Sequence, residues 1–340
     1  MTPHFSGSRF LTIVLACLVP AAGAVTASAQ TPEEIQAVID AAYEEFKDVD
    51  EGKKADHNPA VRKLDADLFG IALMTVDGRI YTAGDTEAMV SMASISKVFA
   101  SALVFQEFGP GAVRDRVGVN ATGLRFNSVT AVERGEGQGM NSLVNAGAIS
   151  VASMVPGETR EAVEQNILAT FSAFAGRRLS VLEEVYEADA STNMRNRGIA
   201  MLMDAYGRID GDPLEACDVY SWHCAVGVGV KDLAAMAATL ANFGENPLTG
   251  EQAMDAEHVP PLLAVMATAG LYDDAGEWLF LTGLPAKSGV SGGMLAVSPG
   301  KFGIAAISPP LDAAGNTVRG QRAIATISNA LGGNPYAPPE

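Results

Sequence analysis

Apolar positions along this chain keep two different rhythms. Ile35, Val38, Ile39, Ala42, Tyr43 and Phe46 recur at helical spacing. Ahead of them, Thr31-Pro32-Glu33-Glu34 is a helix start: a capping threonine, a proline in the first turn and a glutamate three residues on. Residues 69–76 (FGIALMTV) predict a strand, Asp77-Gly78 a hairpin turn, and RIYTAG the partner strand. From about 94 to 250 the chain is rich in Ala, Leu and Met, with helical periods near 95–108, 143–155, 160–175, 194–206 and 230–243. Near the C-terminus MLAVSPGKFGIAAIS predicts two strands around a Pro-Gly turn. An amphipathic helix over 318–331, carrying Ala323, Ile324, Ile327 and Leu331, follows.

Strand signals therefore sit at both ends and helices fill the middle. This order predicts an α/β fold: one mostly antiparallel sheet built from both ends, flanked by helices, with an inserted helical lobe. The sheet lobe is expected at about 30–93 and 255–340 and the helical lobe at about 94–254, within a single domain over 30–340.

The first 29 residues stand apart. Arg9 is followed by the apolar stretch FLTIVLACLVPAAGAV and then Ala27-Ser28-Ala29. This is the pattern of a secretory signal cut after Ala29. The stretch is broken by Pro20 and falls short of the roughly 20 residues of a spanning helix. A lipid anchor at Cys17 is the alternative, although VLAC is a poor attachment box. Export to the periplasm or beyond is expected, with no membrane association after cleavage.

Composition narrows the function. Forty acids against 23 bases, a net charge of −17, argue against a nucleic-acid binder. Cleavage removes one base and no acid, which deepens the charge to −18. Hydrophobic residues at 48% and charged residues at 19% exclude a disordered chain. Four scattered histidines leave little room for a metal site, and His223 with Cys217 and Cys224 is too small a cluster for one. The spacing of Cys217 and Cys224 leaves two outcomes open, a disulfide across a short loop or two buried thiols.

Two motifs carry candidate chemistry. In Ser94-Ile95-Ser96-Lys97, a serine opening a helix has the lysine one turn on, on the same face. A serine hydroxyl needs a base, and an amine with a depressed pKa is one. Backbone N–H groups at the helix start add donors for an oxyanion. Lys287-Ser288-Gly289, ahead of a predicted strand and rich in following glycines, is the second. An S-x-x-K helix paired with a K-[ST]-G strand belongs to serine acyl-transferases of the β-lactamase and penicillin-binding class. The S-D-N element of β-lactamases is absent between them; Met140-Asn141-Ser142-Leu143-Val144-Asn145-Ala146-Gly147 stands there instead.

TVDGRIYTAGD, SISKVF, TGLRFNS, VNAGAI, RNRGIA and GLYDDAGEW followed by GLPAKSGVSGG occur in one order from about residue 50 to 332. In this the chain resembles the serine-dependent glutaminases, which share the β-lactamase-like fold. The resemblance implies an amidohydrolase that converts L-glutamine to L-glutamate and ammonia through a seryl acyl-enzyme, without cofactor or metal, as a homo-oligomer. It implies Ser94 as nucleophile and Lys97 as general base, with Tyr272 and Tyr220 as active-site tyrosines. Asn145, Asn196 and Asp189 would hold the amino-acid head of the substrate, and the N–H groups of Ser94 and Val290 the oxyanion. The residues themselves agree: a primary amide needs a nucleophile, a proton for departing ammonia and oxyanion donors.

Four places depart from the family pattern. Ala93 stands where a glutamine is usual, Asp189 where a glutamate is, and His57 where a tyrosine is. Asn141-Ser142 replaces asparagine-proline. The first three are expected to face the substrate, so a related amide or γ-glutamyl compound is an alternative substrate. A β-lactamase-like hydrolase is a further alternative, and an inactive periplasmic amino-acid-binding homologue is the non-enzyme one.

Overall fold

Local signals build the first elements. The computed structural model describes residues 30–56, 58–137 and 140–338. The expected signal segment, Cys17 and His57 lie outside them. Thr31 caps α1 (Pro32–Phe46) reciprocally with Glu34: the Glu34 N–H donates to the Thr31 hydroxyl at 3.2 Å, and the Thr31 N–H donates to Glu34 Oε2 at 2.8 Å. The short α2 (Pro59–Arg62) begins at Asn58, whose side chain accepts from Ala60 N and Val61 N. The predicted hairpin follows as β1 (Gly70–Thr75) and β2 (Ile80–Gly84), turning at Gly78 with a φ of 83°. A short β3 (Val90–Ser91) and a 3-10 turn, Ala93–Ile95, lead into α3 (Ser96–Phe108).

The helical segment continues as α4 (Pro110–Arg116), α5 (Val129–Arg134), α6 (Asn145–Ser153), α7 (Arg160–Ala175), α8 (Glu183–Thr192), α9 (Met194–Ala205) and α10 (Pro213–Cys224). Then come β4 (Gly227–Val228), which pairs antiparallel with β3, and α11 (Val230–Ala241). The chain returns through α12 (Val259–Ala269), a 3-10 turn at Tyr272–Asp274 and α13 (Ala275–Thr282). It ends with β5 (Ala286–Ser288), β6 (Gly293–Ser298), β7 (Phe302–Ile307) and α14 (Val318–Ala330).

The main sheet has the order β2-β1-β7-β6-β5, antiparallel at every junction. The seam between the two chain ends is β1 against β7, so both ends of the sequence share one sheet, as expected. Side-chain alternation gives the sheet two covered faces. Ile71, Leu73, Met294, Ala296, Ile304 and Ala306 face a cluster with Ile39 of α1 and Ile324 and Ile327 of α14. Ala72, Met74, Leu295, Val297, Ala305 and Ile307 belong to the larger core shared with the helical elements.

Three features differ from the sequence reading. The segment 94–254 was assigned to the helical lobe, but α11 packs against β1, β6 and β7. It approaches so closely that a Cβ on Gly303 would lie 2.1 Å from Ala238 N. Lys287-Ser288 does precede the predicted strand, which is β6, but it also lies on a strand of its own, the edge strand β5. Cys217 and Cys224 lie on one helix, α10, and both are free thiols. Seven residues of helix rise roughly 10 Å, beyond the Cα separation that a disulfide spans. Among the described residues, no helix is long and apolar enough to cross a membrane.

Candidate active site

The site begins at the 3-10 turn that delivers the chain from β3 into α3. Ala93 there has a φ of 46°, a left-handed value that side-chain-bearing residues seldom adopt. Ser94 follows it, and Lys97 stands one turn on. Lys97 Nζ donates to Ser94 Oγ at 2.8 Å and to Asn145 Oδ1 at 2.8 Å. Lys97 is fully buried, and this burial lowers its pKa to about 8, with Cys224 opposing. About a tenth of this amine is therefore neutral at pH 7 and about half at pH 8, far more than for an ordinary lysine, which is what a base for a serine hydroxyl requires.

Asn145 opens α6 and joins three partners. Its Oδ1 also accepts from Tyr220 Oη at 3.3 Å, and its Nδ2 donates to Asn196 Oδ1 at 2.9 Å. The N–H of Asn145 is tied to Phe126 O at 2.8 Å, which sets the start of the helix. Once neutral, Lys97 still donates to Asn145 Oδ1 and can turn its lone pair toward Ser94. Tyr220, on α10, is buried, and burial raises its pKa well above the ordinary tyrosine value.

Tyr272 stands on the other side of the dyad. It also holds a left-handed backbone, with φ 61°, and its ring lies against Phe126 at 4.9 Å between centroids. Lys97 Nζ is 5.9 Å and Lys287 Nζ 4.1 Å from the ring centroid. The Tyr272 hydroxyl has no partner at full hydrogen-bond geometry. Burial raises its pKa, while the Ser94 and Ser288 hydroxyls pull it down. Lys287 Nζ donates to Ser288 O at 2.7 Å, and burial followed by the charge of Lys97 holds its pKa well below the usual lysine value.

A cavity of about 350 Å³ opens over the serine. Ala93, Ser94, Val290, Asn145, Asn196 and Tyr220 all line it. Asp189, in the last turn of α8, lines it as well. Of the residues singled out from sequence, Lys97 and Tyr272 stand behind this wall rather than on it. Ala93 and Asp189 face the cavity as expected; Asn141 and Ser142 are buried in the turn ahead of α6 and do not line it. Phe126, Asn127, Asn193 and Arg195 line the cavity without having been singled out, and Cys224, read from the sequence only as a thiol or half of a disulfide, lines it too. Phe126 and Asn127 fall in TGLRFNS and Arg195 in RNRGIA, so those motifs marked the place without assigning a role.

The arrangement sets a serine hydroxyl beside an amine of lowered pKa, at a cavity that Ser94 and Val290 both line. This is the equipment for attack on a carbonyl and stabilisation of the resulting oxyanion. A family model described as Glutaminase matches residues 52–336. A glutaminase of Colwellia psychrerythraea is 47% identical over 308 residues, covering 90% of this chain and 99% of that protein. A solved structure described as probable glutaminase ybaS superposes with a TM-score of 0.89 at 42% identity, covering 91% of this chain and 100% of that one. A structure of Mglu in its glutamate form gives a TM-score of 0.84 at 35% identity, covering 92% and 71%.

Proposed function

The chain belongs to the glutaminase family, and we propose that it hydrolyses the side-chain amide of L-glutamine through an acyl-enzyme on Ser94. The overall reaction yields L-glutamate and ammonia. The observation that carries the mechanism is the 2.8 Å contact between the buried Lys97 Nζ and Ser94 Oγ. Neutral Lys97 takes the Ser94 proton as Oγ attacks the carboxamide carbon. The carbonyl oxygen becomes an oxyanion beside the backbone of Ser94 and Val290. The carbon–nitrogen bond then breaks, and the leaving nitrogen takes a proton from Lys97, with the Tyr272 hydroxyl as the nearby relay. Ammonia departs and a γ-glutamyl ester remains on Ser94. Water attacks this ester with Lys97 again as base, releasing glutamate and restoring the serine.

The head of the substrate fits the remaining wall. Asp189 offers a carboxylate to an α-ammonium; Asn145, Asn196 and Tyr220 offer neutral polar groups to the head. The glutamate form of Mglu supports a cavity of this kind taking the product. Ala93 presents only a methyl group to the cavity, and this favours a second reading, in which a γ-glutamyl amide with a larger leaving group is also accepted. Competition between glutamine and γ-glutamyl alkylamides measures that preference.

The test of the mechanism is ammonia release with a denaturing mass spectrum taken during turnover. Wild type is expected to release ammonia and carry a glutamyl adduct on the peptide containing Ser94; Ser94→Ala is expected to do neither. Equal release by both proteins removes the serine mechanism. Export belongs to the same reading: a leader of 29 residues, cut after Ala29, would leave a periplasmic or secreted chain. Amino-terminal sequencing of the protein from the cell-envelope fraction checks it, with Gln30 expected first. Self-association as a homo-oligomer is checked by sedimentation velocity of that mature chain.

A further inference from the structure

His223 is fully buried on α10, with its ring edge-on to Tyr220 and Phe171 at 5.4 and 6.1 Å between centroids. Its Nδ1 lies 2.9 Å from Ser96 Oγ, and its Nε2 has no hydrogen-bond partner. Ser96 is fully buried too and opens α3, between Ser94 and Lys97. Its Oγ lies 2.6 Å from Ala93 O, and its N–H donates to the same carbonyl. Cys224 Sγ is further off, at 3.4 Å from Ser96 Oγ. A carbonyl oxygen only accepts, so the single Ser96 hydroxyl proton goes to Ala93 O at the shorter distance. Ser96 Oγ then meets His223 as an acceptor, and Nδ1 carries the ring proton. The bare Nε2 fits a place without partners, whereas the other tautomer would bury an N–H with nothing to receive it. Burial, followed by the charge of Lys97, lowers the pKa of this histidine to about 3, so the ring stays neutral.

We propose that His223 is a positioning residue for the oxyanion hole: acting through Ser96, it holds the peptide plane between Ala93 and Ser94 so that the Ser94 N–H meets the developing oxyanion. This rests on the reading of the site as an acyl-enzyme hydrolase in which that N–H is an oxyanion donor. The Ala93 carbonyl and the Ser94 N–H belong to one planar trans peptide unit and point in opposite directions. Fixing the oxygen therefore aims the N–H. The unit needs holding, because Ala93 keeps a left-handed backbone with φ 46°. The second donor is held separately. Ser91 Oγ and Ser291 Oγ are 2.6 Å apart, which ties the end of β3 to the loop carrying Val290. Across that loop the Gly292 N–H donates to Gly289 O at 2.9 Å. Loss of His223 thus disturbs one donor of two. The effect falls on the transition state, where the negative charge forms, and little on bound glutamine.

The test sets two substitutions against each other in ammonia release from glutamine. His223→Asn keeps an N–H close to the place of Nδ1 but loses bulk; His223→Leu keeps bulk but has no donor. His223→Leu is expected to lower kcat about ten-fold, part of the cost of losing a whole oxyanion donor, with KM within about two-fold. His223→Asn is expected to recover most of that loss, to within about three-fold of wild type. A packing role predicts the opposite order, so a leucine variant that equals or exceeds the asparagine variant overturns the proposal. Ser96→Ala cuts the same chain from the other end and is expected to lower kcat by at least as much, again at constant KM. An unchanged kcat in Ser96→Ala overturns the proposal even if His223→Leu fails to fold. Nitrogen NMR of histidine-labelled wild type is expected to show a neutral ring protonated at Nδ1, in the signal that His223→Asn removes; a proton on Nε2 overturns the proposal as well. A wild type that shows this tautomer but releases no ammonia would instead remove the underlying reading of the site.

Discussion

Leu73 and Lys97 are both fully buried, one on the outer face of the sheet and one beneath the cavity. Leu73 belongs to a hydrophobic cluster with Ile71, Ile304, Ile39 and Ile324, where burial itself is the stabilising force. Lys97 is surrounded by hydroxyls, amides and aromatic rings, and burial works against its charge. The outer face has alternating strands and an ordinary helix cover. The surroundings of Lys97 hold Ala93 and Tyr272 at positive φ, and a buried His223 Nε2 without a hydrogen-bond partner. The first region stores stability, and the second spends some of it on groups whose proton affinity suits chemistry.

That difference is sharpest in a pair of substitutions. Lys97→Met is expected to lower kcat/KM by about 10³-fold or more, measured by ammonia release, because it removes the amine that contacts Ser94 Oγ. Its melting temperature at pH 7 is expected to be no lower than that of wild type. The unfolded chain holds the Lys97 proton up to its ordinary value of 10.5, the folded chain only up to about 8. The group's drag on stability, about 3 kcal/mol on the scale of 1.4 kcal/mol per pK unit, is full below pH 8. It fades as pH rises through that window, and the methionine variant removes it. A large fall in melting temperature with activity retained would break the comparison.

Leu73→Ala is the reverse case. It is expected to lose about 2–5 kcal/mol in urea or guanidinium unfolding, from lost transfer energy and an unfilled cavity. Its kcat per folded molecule is expected to stay within about two-fold, since Leu73 lies in the outer cluster and does not line the cavity. The smallest effect is the pH dependence of wild type. kcat/KM is expected to fall about ten-fold per unit below pH 8 as Lys97 takes up a proton, and to level off above it. Disappearance of that limb in a variant that retains turnover, such as Lys97→His, would assign it to this amine. A profile flat from pH 6 to 9 would remove Lys97 as the base.

Parts of both regions were legible before any coordinates. The capping box at Thr31 and Glu34, the Asp77-Gly78 hairpin and the Pro-Gly hairpin near the C-terminus are local devices, and each formed where the spacing predicts. The Ser94–Lys97 pair was legible because three residues make nearly one helical turn. α10 was not: PLEACDVYSWHC is buried on most sides, so it shows no polar stripe, and its two cysteines suggested a loop. The packing of α11 on the sheet was hidden for the same reason, since its alanines and leucines are apolar all round. The place of His223 was missed because its partner, Ser96, lies on another helix and no spacing rule joins them.

The sequence by itself determined the locally encoded elements, such as the capped first helix and the two hairpins, the sharing of one sheet by the two chain ends, and the placing of Ser94 and Lys97 on one helical turn. These depend on contacts within a few residues or on a period repeated along one strand. Tertiary structure alone decided which polar groups meet around Ser94: Asn145 from α6, Asn196 from α9, Tyr220 from α10 and Tyr272 from the turn before α13. It also decided the proton affinity of Lys97. Desolvation depends on everything packed around a side chain, and no local stretch of sequence records that.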